Sequence, residues 1–91
     1  MSVDAYKQKA KAKLDEQKAA IDSAKAKLSG LTAEARIEAE KQLQKLEKGY
    51  EAAGKKMAEL ADAGEDAWED FTNGVENTWG SVTDSVKKLF G

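Results

Sequence analysis

Asp62-Ala63-Gly64-Glu65 decides whether the second half of this 91-residue chain forms one long helix or two. Asp62, followed three residues later by Glu65, has the form of a capping box. Acidic residues also crowd the turn that would follow, where the positive end of a helix dipole favours them. These signals predict that one helix ends before Gly64 and that another begins at Glu65.

Large apolar residues recur every eleven residues on both sides of this stretch, and they favour the opposite interpretation. Eleven residues are close to three helical turns, so each step returns to nearly the same face of a continuous helix. The main row comprises Leu46, Met57, Trp68, Trp79 and Phe90, and a second row comprises Leu60, Phe71 and Val82. We expect the chain reversal, because each of three segments also starts acidic and ends basic, and one long helix is the alternative.

The first part of the chain has the seven-residue repeat of a coiled coil. One row comprises Leu14, Ile21, Leu28 and Ala35, and the other comprises Ala10, Gln17, Ala24 and Leu31. At Ser29-Gly30-Leu31-Thr32 we expect Gly30 to take a left-handed conformation that ends the helix, and Thr32 to cap the next one.

The predicted fold is all-α, in one domain spanning residues 1–91. An antiparallel hairpin (helices at about 3–29 and 33–61) carries a third amphipathic helix (65–89), as a three-helix bundle or as a long hairpin completed by dimerisation.

The composition excludes most catalytic chemistry. The chain has no cysteine and no histidine, so it lacks thiolates, disulfides and the commonest general base and metal ligand. Glu65 with Glu69, and Asp66 with Asp70, are spaced to share helix faces, but acids at this position are typical of a helix N-terminus. We therefore expect no enzyme activity, no catalytic or metal-binding residues, no cofactor and no small-molecule substrate.

Charge is unevenly distributed along the chain, although the formal net charge is only −2. Residues 1–30 carry seven lysines and four acids, whereas residues 65–91 carry two lysines and six acids. These opposite charges favour antiparallel packing of the first segment near the last. The lysines spread around the first helix, so we expect no nucleic-acid partner.

No apolar run approaches the roughly twenty residues that cross a bilayer, and the N-terminus lacks a signal peptide's apolar core, which predicts a cytoplasmic protein.

The last segment combines a bulky apolar face with many poor helix formers such as Asn, Gly, Ser and Thr, so it needs an apolar surface to fold against. We predict an interaction face made of Leu46, Met57, Leu60, Trp68, Phe71, Val75, Trp79, Val82, Val86 and Phe90. One interpretation is that this face packs in a bundle core or a dimer interface. The alternative is that the last helix lies on a membrane surface, as lipid-packing sensors do.

Several stretches resemble one bacterial family. The chain opens with Asp4-Ala5-Tyr6-Lys7-Gln8-Lys9, and its Lys/Ala-rich helix ends at Leu28. The most specific stretch is Ala63-Gly64-Glu65-Asp66-Ala67-Trp68-Glu69-Asp70-Phe71, followed by Gly74-Val75-Glu76 and Trp79. Over nearly its whole length the chain resembles short coiled-coil-domain or stress-response proteins of cyanobacteria and proteobacteria. The resemblance implies an association with stress and supplies no catalytic residues.

We therefore expect a small, non-enzymatic interaction or scaffold protein that acts through self-association or a partner helix. The alternative function is that of a peripheral lipid-binding protein, whose C-terminal amphipathic helix folds on a membrane.

Overall fold

The computed structural model describes residues 2–90, which form three helices and no strand. Helix α1 spans Val3–Lys27, α2 spans Ala33–Glu59 and α3 spans Glu65–Phe90, and a short 3-10 turn, Leu28–Gly30, follows α1. The bundle measures 47 × 20 × 16 Å. The predicted all-α, three-helix fold is confirmed, and so is the break between the second and third helices.

Helices α1 and α3 lie side by side, run parallel and make the most extensive contact in the bundle. At one end the Thr72 hydroxyl bonds to the Tyr6 carbonyl, and at the other the Lys27 ammonium lies over the Phe90 ring. The predicted antiparallel packing of the first and last segments is therefore wrong. Two successive reversals return the chain to its original direction, so α3 runs parallel to α1. The opposite charges of the first and last segments therefore face each other across two parallel helices.

Buried positions in α1 and α3 follow steps of three, four or seven residues, which is the spacing of a coiled-coil seam. In α1 they are Ala10, Leu14, Gln17, Ile21 and Ala24. In α3 they are Trp68, Thr72, Val75 and Val82. The α1 set belongs to the two predicted rows, which are confirmed there. Steps of four, three and four sum to eleven, so the eleven-residue interval in α3 is part of a heptad seam rather than a sign of one continuous helix.

The first corner begins α2 as predicted but ends α1 differently. The Thr32 hydroxyl accepts a hydrogen bond from the Ala35 N–H (3.3 Å), so the predicted N-cap is confirmed. Gly30 does not adopt a left-handed φ, and that prediction is wrong. The 3-10 turn takes its place, with the Leu31 N–H bonded to the Leu28 carbonyl (3.1 Å). Such a turn satisfies the last carbonyls of a helix without any residue at positive φ.

The second corner lies where the sequence predicts it, although its cap is different. The Gly64 carbonyl accepts the first helical bond of α3, from the Trp68 N–H (3.2 Å), so Gly64 is the N-cap. Asp62 lies two residues earlier, and its predicted capping box with Glu65 is wrong because such a box needs its acidic partner three residues after the N-cap. Helix α2 ends at Glu59, where the Leu60 N–H still reaches the Lys56 carbonyl (3.0 Å).

Candidate interaction surface

The ten residues of the predicted interaction face divide between the core and the surface. Trp68, Val75 and Val82 are buried in the bundle, at 1%, 5% and 4% exposure. The other seven are half-buried: Leu46, Met57, Leu60, Phe71, Trp79, Val86 and Phe90. The structure therefore uses three of the ten to hold its own helices together, and seven keep part of their apolar surface in water.

Trp68 is the largest fully buried side chain. Its ring meets Phe71 edge to face, with centroids 5.8 Å apart and an interplanar angle of 87°. The Lys7 ammonium lies 5.4 Å from the indole centroid, within the range of a cation–π interaction. The indole Nε1–H is buried and has no acceptor within residues 2–90.

Helix α2 is the least tightly packed of the three. Only Ala39 and Leu43 of α2 are buried, and its contact with α3 is sparse. Its C-terminal half carries the small residues Gly49, Ala52, Ala53, Gly54 and Ala58, and Ala61 follows just after the helix ends. Because these side chains are short, they leave open space between α2 and its neighbours.

Part of this space is an apolar groove between α2 and α3, with a volume of about 390 Å³. This α2–α3 groove is lined by Gln17, Gly49, Ala52, Ala53, Lys56, Phe71, Gly74, Val75 and Thr78. Gln17 is only 3% exposed, and its buried amide Nε2 has no acceptor in the described part of the chain. A smaller groove of about 240 Å³ continues the same face toward the C-terminus of α3, lined by Glu38, Gln42, Ser85, Lys88 and Leu89.

Ion pairs tie α1 to both neighbours. Lys9 lies 2.7 Å from Glu76 of α3, and Lys25 lies 2.5 Å from Glu47 of α2. The hydrogen bond from Lys25 to Glu47 raises the pKa of Lys25. Burial, followed by the charges of Glu69 and Glu65, raises the pKa of Tyr6. Each shift favours the protonated side chain. Lys25 and Glu47 line a pocket of about 160 Å³ together with Lys18, Asp22, Tyr50 and Glu51.

Thr72 and Gln17 are the polar residues that matter most to this architecture, and sequence reasoning gave them little weight. Thr72 is fully buried, yet the sequence placed it among the poor helix formers of α3. Thr72 lies four residues after Trp68 and three before Val75, and this heptad spacing is the signal in the sequence that predicts its burial.

Ile37, by contrast, lies outside the predicted face and is 57% exposed. Within residues 2–90, no three acidic side chains gather where they could hold a metal ion.

The fold and this surface define an all-α protein, a small helical bundle with one loosely packed helix. A scan against protein-family models finds no match, and neither a search of curated proteins nor one of solved structures finds a similar protein. The family resemblance therefore stays a prediction. In residues 2–90, no helix has the length and apolar character needed to cross a membrane.

Proposed function

We propose that this chain is a non-enzymatic interaction protein that self-associates through the face formed by α2 and α3. The observation that carries the proposal is the α2–α3 groove, whose apolar lining stays open because α2 presents glycine and alanine there. The half-buried Phe71 borders this groove. A second apolar surface placed here would bury the area that one copy leaves in contact with water.

The face is large enough for a stable contact. The bundle of which it forms one side measures 47 × 20 × 16 Å. Standard interfaces bury about 800 Å² per partner, which fits within these dimensions. Small residues at Gly49, Ala52 and Gly74 let another helix approach closely, as small residues do where helices pack backbone to backbone.

The charges of α2 and α3 favour a second copy as the partner. Residues 41–56 of α2 carry five lysines and two glutamates, whereas residues 65–84 of α3 carry six acids and no base. A twofold axis parallel to the helices sets α2 of one protomer beside α3 of its partner. In the grooves, residues 41–56 of α2 lie level with about 71–86 of α3, where the acids are Glu76 and Asp84. That arrangement therefore brings lysines of α2 near these two acids twice, which favours a second copy over a partner of uniform charge.

Solution mass across a concentration series tests the proposal. We expect the wild-type chain to exceed its monomer mass of 9.9 kDa as concentration rises. Ala52→Glu introduces a charge into the α2–α3 groove and should shift the equilibrium to monomer. Ala19→Glu is the matched control, because Ala19 is exposed on α1 away from that groove, and it should associate like wild type. A wild-type mass of one chain at every concentration, or equal association of the two variants, would contradict the proposal.

The lipid-binding alternative predicts a different result. It requires α3 to leave α1 and expose Trp68, Val75 and Val82, so neutral vesicles should shift the tryptophan emission strongly. Unchanged emission, together with concentration-dependent mass, supports self-association. The cytoplasmic location and the stress-associated role belong to the same proposal and rest on the sequence alone.

A further inference from the structure

The corner between α2 and α3, residues 60–64, is capped differently from the starts of the other two helices. Helix α1 begins where the Ser2 hydroxyl accepts a main-chain N–H, and α2 begins where the Thr32 hydroxyl does the same. The N-cap of α3 is Gly64, which has no side chain, and its φ lies outside the left-handed region. The start of α3 therefore lacks the side-chain cap that defines the start of α1 and of α2.

The backbone of this corner stays close to helical where it leaves α2. Leu60 has φ −87° and ψ 7°, its N–H still bonds to the Lys56 carbonyl (3.0 Å), and the chain contains no proline. Steps of three and four residues lead from Met57 through Leu60 and Gly64 to Trp68, so the heptad seam keeps its phase across the corner. One continuous helix through residues 60–64 is therefore a second conformation that suits this stretch of sequence.

Helix α3 is held mainly by α1, whereas its contact with α2 is sparse. The buried Thr72 hydroxyl bonds to the Tyr6 carbonyl, and at the corner itself the Lys7 ammonium bonds to the Ala61 carbonyl in an exposed contact of 3.1 Å. These contacts require α3 to lie parallel to an α1 helix. They do not require both helices to come from the same chain.

We propose that two copies of this chain exchange their α3 helices by straightening the corner. In each copy α2 and α3 then form one helix from residue 33 to residue 90, about 87 Å long. Two such helices run antiparallel about a twofold axis perpendicular to them, so α3 of one copy meets α1 of the other in the parallel orientation of the monomer. The α1–α3 contacts are remade between copies, and the half-buried Leu60 of each copy adds apolar contact where the two straightened corners meet.

This exchange is distinct from association through the face formed by α2 and α3. It uses a perpendicular axis and leaves the α2–α3 groove present in each bundle, so either mode can fail without the other. It is also slow, because α3 must leave α1 before it meets another copy.

Energy transfer between two dyes on one chain tests the exchange. The chain has no cysteine, so Glu34→Cys and Lys87→Cys, both at exposed positions, supply the labelling sites. In the monomer these sites lie at the same end of a bundle with a cross-section of 20 × 16 Å, and transfer is efficient. In the exchanged dimer they lie about 80 Å apart along one helix, and transfer is nearly lost. Labelled chain is refolded from urea at high protein concentration with excess unlabelled chain, which restricts transfer to dyes on one chain.

Variants of the corner should shift the equilibrium in opposite directions. Gly64→Ala favours the continuous helix, and its Cβ meets no atom within 4 Å in the monomer. Because each dimer contains two corners, this variant should raise the dimerisation constant at least about tenfold. Glu65→Pro suits the first position of α3 but breaks a continuous helix, so it should lower the constant at least about a hundredfold. Gly30→Ala and Ala33→Pro are the matched controls, because they make the same changes at the corner between α1 and α2 and should dimerise like wild type.

Three results would overturn the proposal. They are transfer in the dimer as efficient as in the monomer, equal dimerisation of Gly64→Ala and Glu65→Pro, and no dimer in either wild type or Gly64→Ala after refolding at high concentration. A dimer that loses transfer and persists in Ala52→Glu supports the exchange even where the face contact fails. A dimer that keeps transfer and is lost in Ala52→Glu supports the face contact and overturns the exchange.

Discussion

The Thr72 hydroxyl donates a 3.3 Å hydrogen bond to the main-chain carbonyl of Tyr6 and so joins α3 to α1 at a fully buried position. About one turn further along both helices, Lys9 and Glu76 form a 2.7 Å ion pair. Both contacts join residues of the same two parallel helices, so together they fix the register of α3 on α1. This register places the Trp68 ring beneath the Lys7 ammonium.

Replacing Thr72 with valine should destabilise the bundle modestly. Valine preserves the shape of threonine but removes the hydrogen bond, which contributes about 1 kcal/mol to the free energy of unfolding. The Tyr6 carbonyl keeps its partner within α1, so no buried acceptor is left without a bond. Urea unfolding followed by circular dichroism measures the loss, and Thr72→Ser, which keeps the hydroxyl, separates it from the loss of one methyl group. Equal stability of Thr72→Val and wild type would mean that the bond contributes nothing to the free energy of unfolding.

Gln17 should respond in the opposite direction. Its side chain is 3% exposed, and its Nε2 has no acceptor within residues 2–90, so the amide costs about 1–3 kcal/mol of unmet hydrogen bonding. Gln17→Leu removes that cost at a heptad position and should raise the free energy of unfolding. Ile21→Ala, four residues further along the same seam, is the contrasting control and should lower it by about 2–5 kcal/mol. A large loss of stability in Gln17→Leu would show that the amide has a partner in solution.

Gly30 tests the corner that the sequence described incorrectly. Its φ lies outside the left-handed region, and a Cβ there meets no atom within 4 Å. Gly30→Ala should therefore raise the free energy of unfolding by about 0.4–1 kcal/mol, because alanine restricts the unfolded chain without straining the folded one. Thermal and urea unfolding measure the change. A clear loss of stability would restore the left-handed cap that the sequence predicts.

The heptad rows explain why so much of the fold is readable from the sequence. Leu14 and Ile21 form a seam through local periodicity, and Thr32 is a cap that acts within its own turn, so both are visible in a short window. The end of α1 depends on a choice between two local turns, a left-handed cap and a 3-10 turn, and Gly30 can adopt either. The parallel arrangement of α1 and α3 follows from the number of reversals, and total segment charge carries no information about that number.

The candidate surface was harder to predict for a related reason. Trp68 and Trp79 look equivalent in an eleven-residue row, but only Trp68 is buried. The difference depends on what each one meets on α1 and α2, and these contacts are distant in sequence. The open space beside α2 arises from the absence of bulk at Gly49 and Gly54, which a search for large apolar residues does not register.

Alkaline pH should weaken the tie between α1 and α2. The hydrogen bond to Glu47 raises the pKa of Lys25 above 10.5, so the folded chain keeps this proton to a higher pH than the unfolded chain does. The contribution is therefore fully present below about pH 10.5 and is lost as pH rises through the folded pKa. Burial and nearby carboxylates also raise the pKa of Tyr6 above 10.0, and its contribution is lost in the same direction. The free energy of unfolding in urea should stay constant from about pH 8 to about pH 10 and should fall at higher pH.

Two variants separate the contributions. Glu47→Gln should be less stable than wild type at pH 8 and should converge with it at high pH. Tyr6→Phe should keep the part of the pH dependence that comes from Lys25. A difference between wild type and Glu47→Gln that does not change with pH would show that this ion pair is not formed in solution.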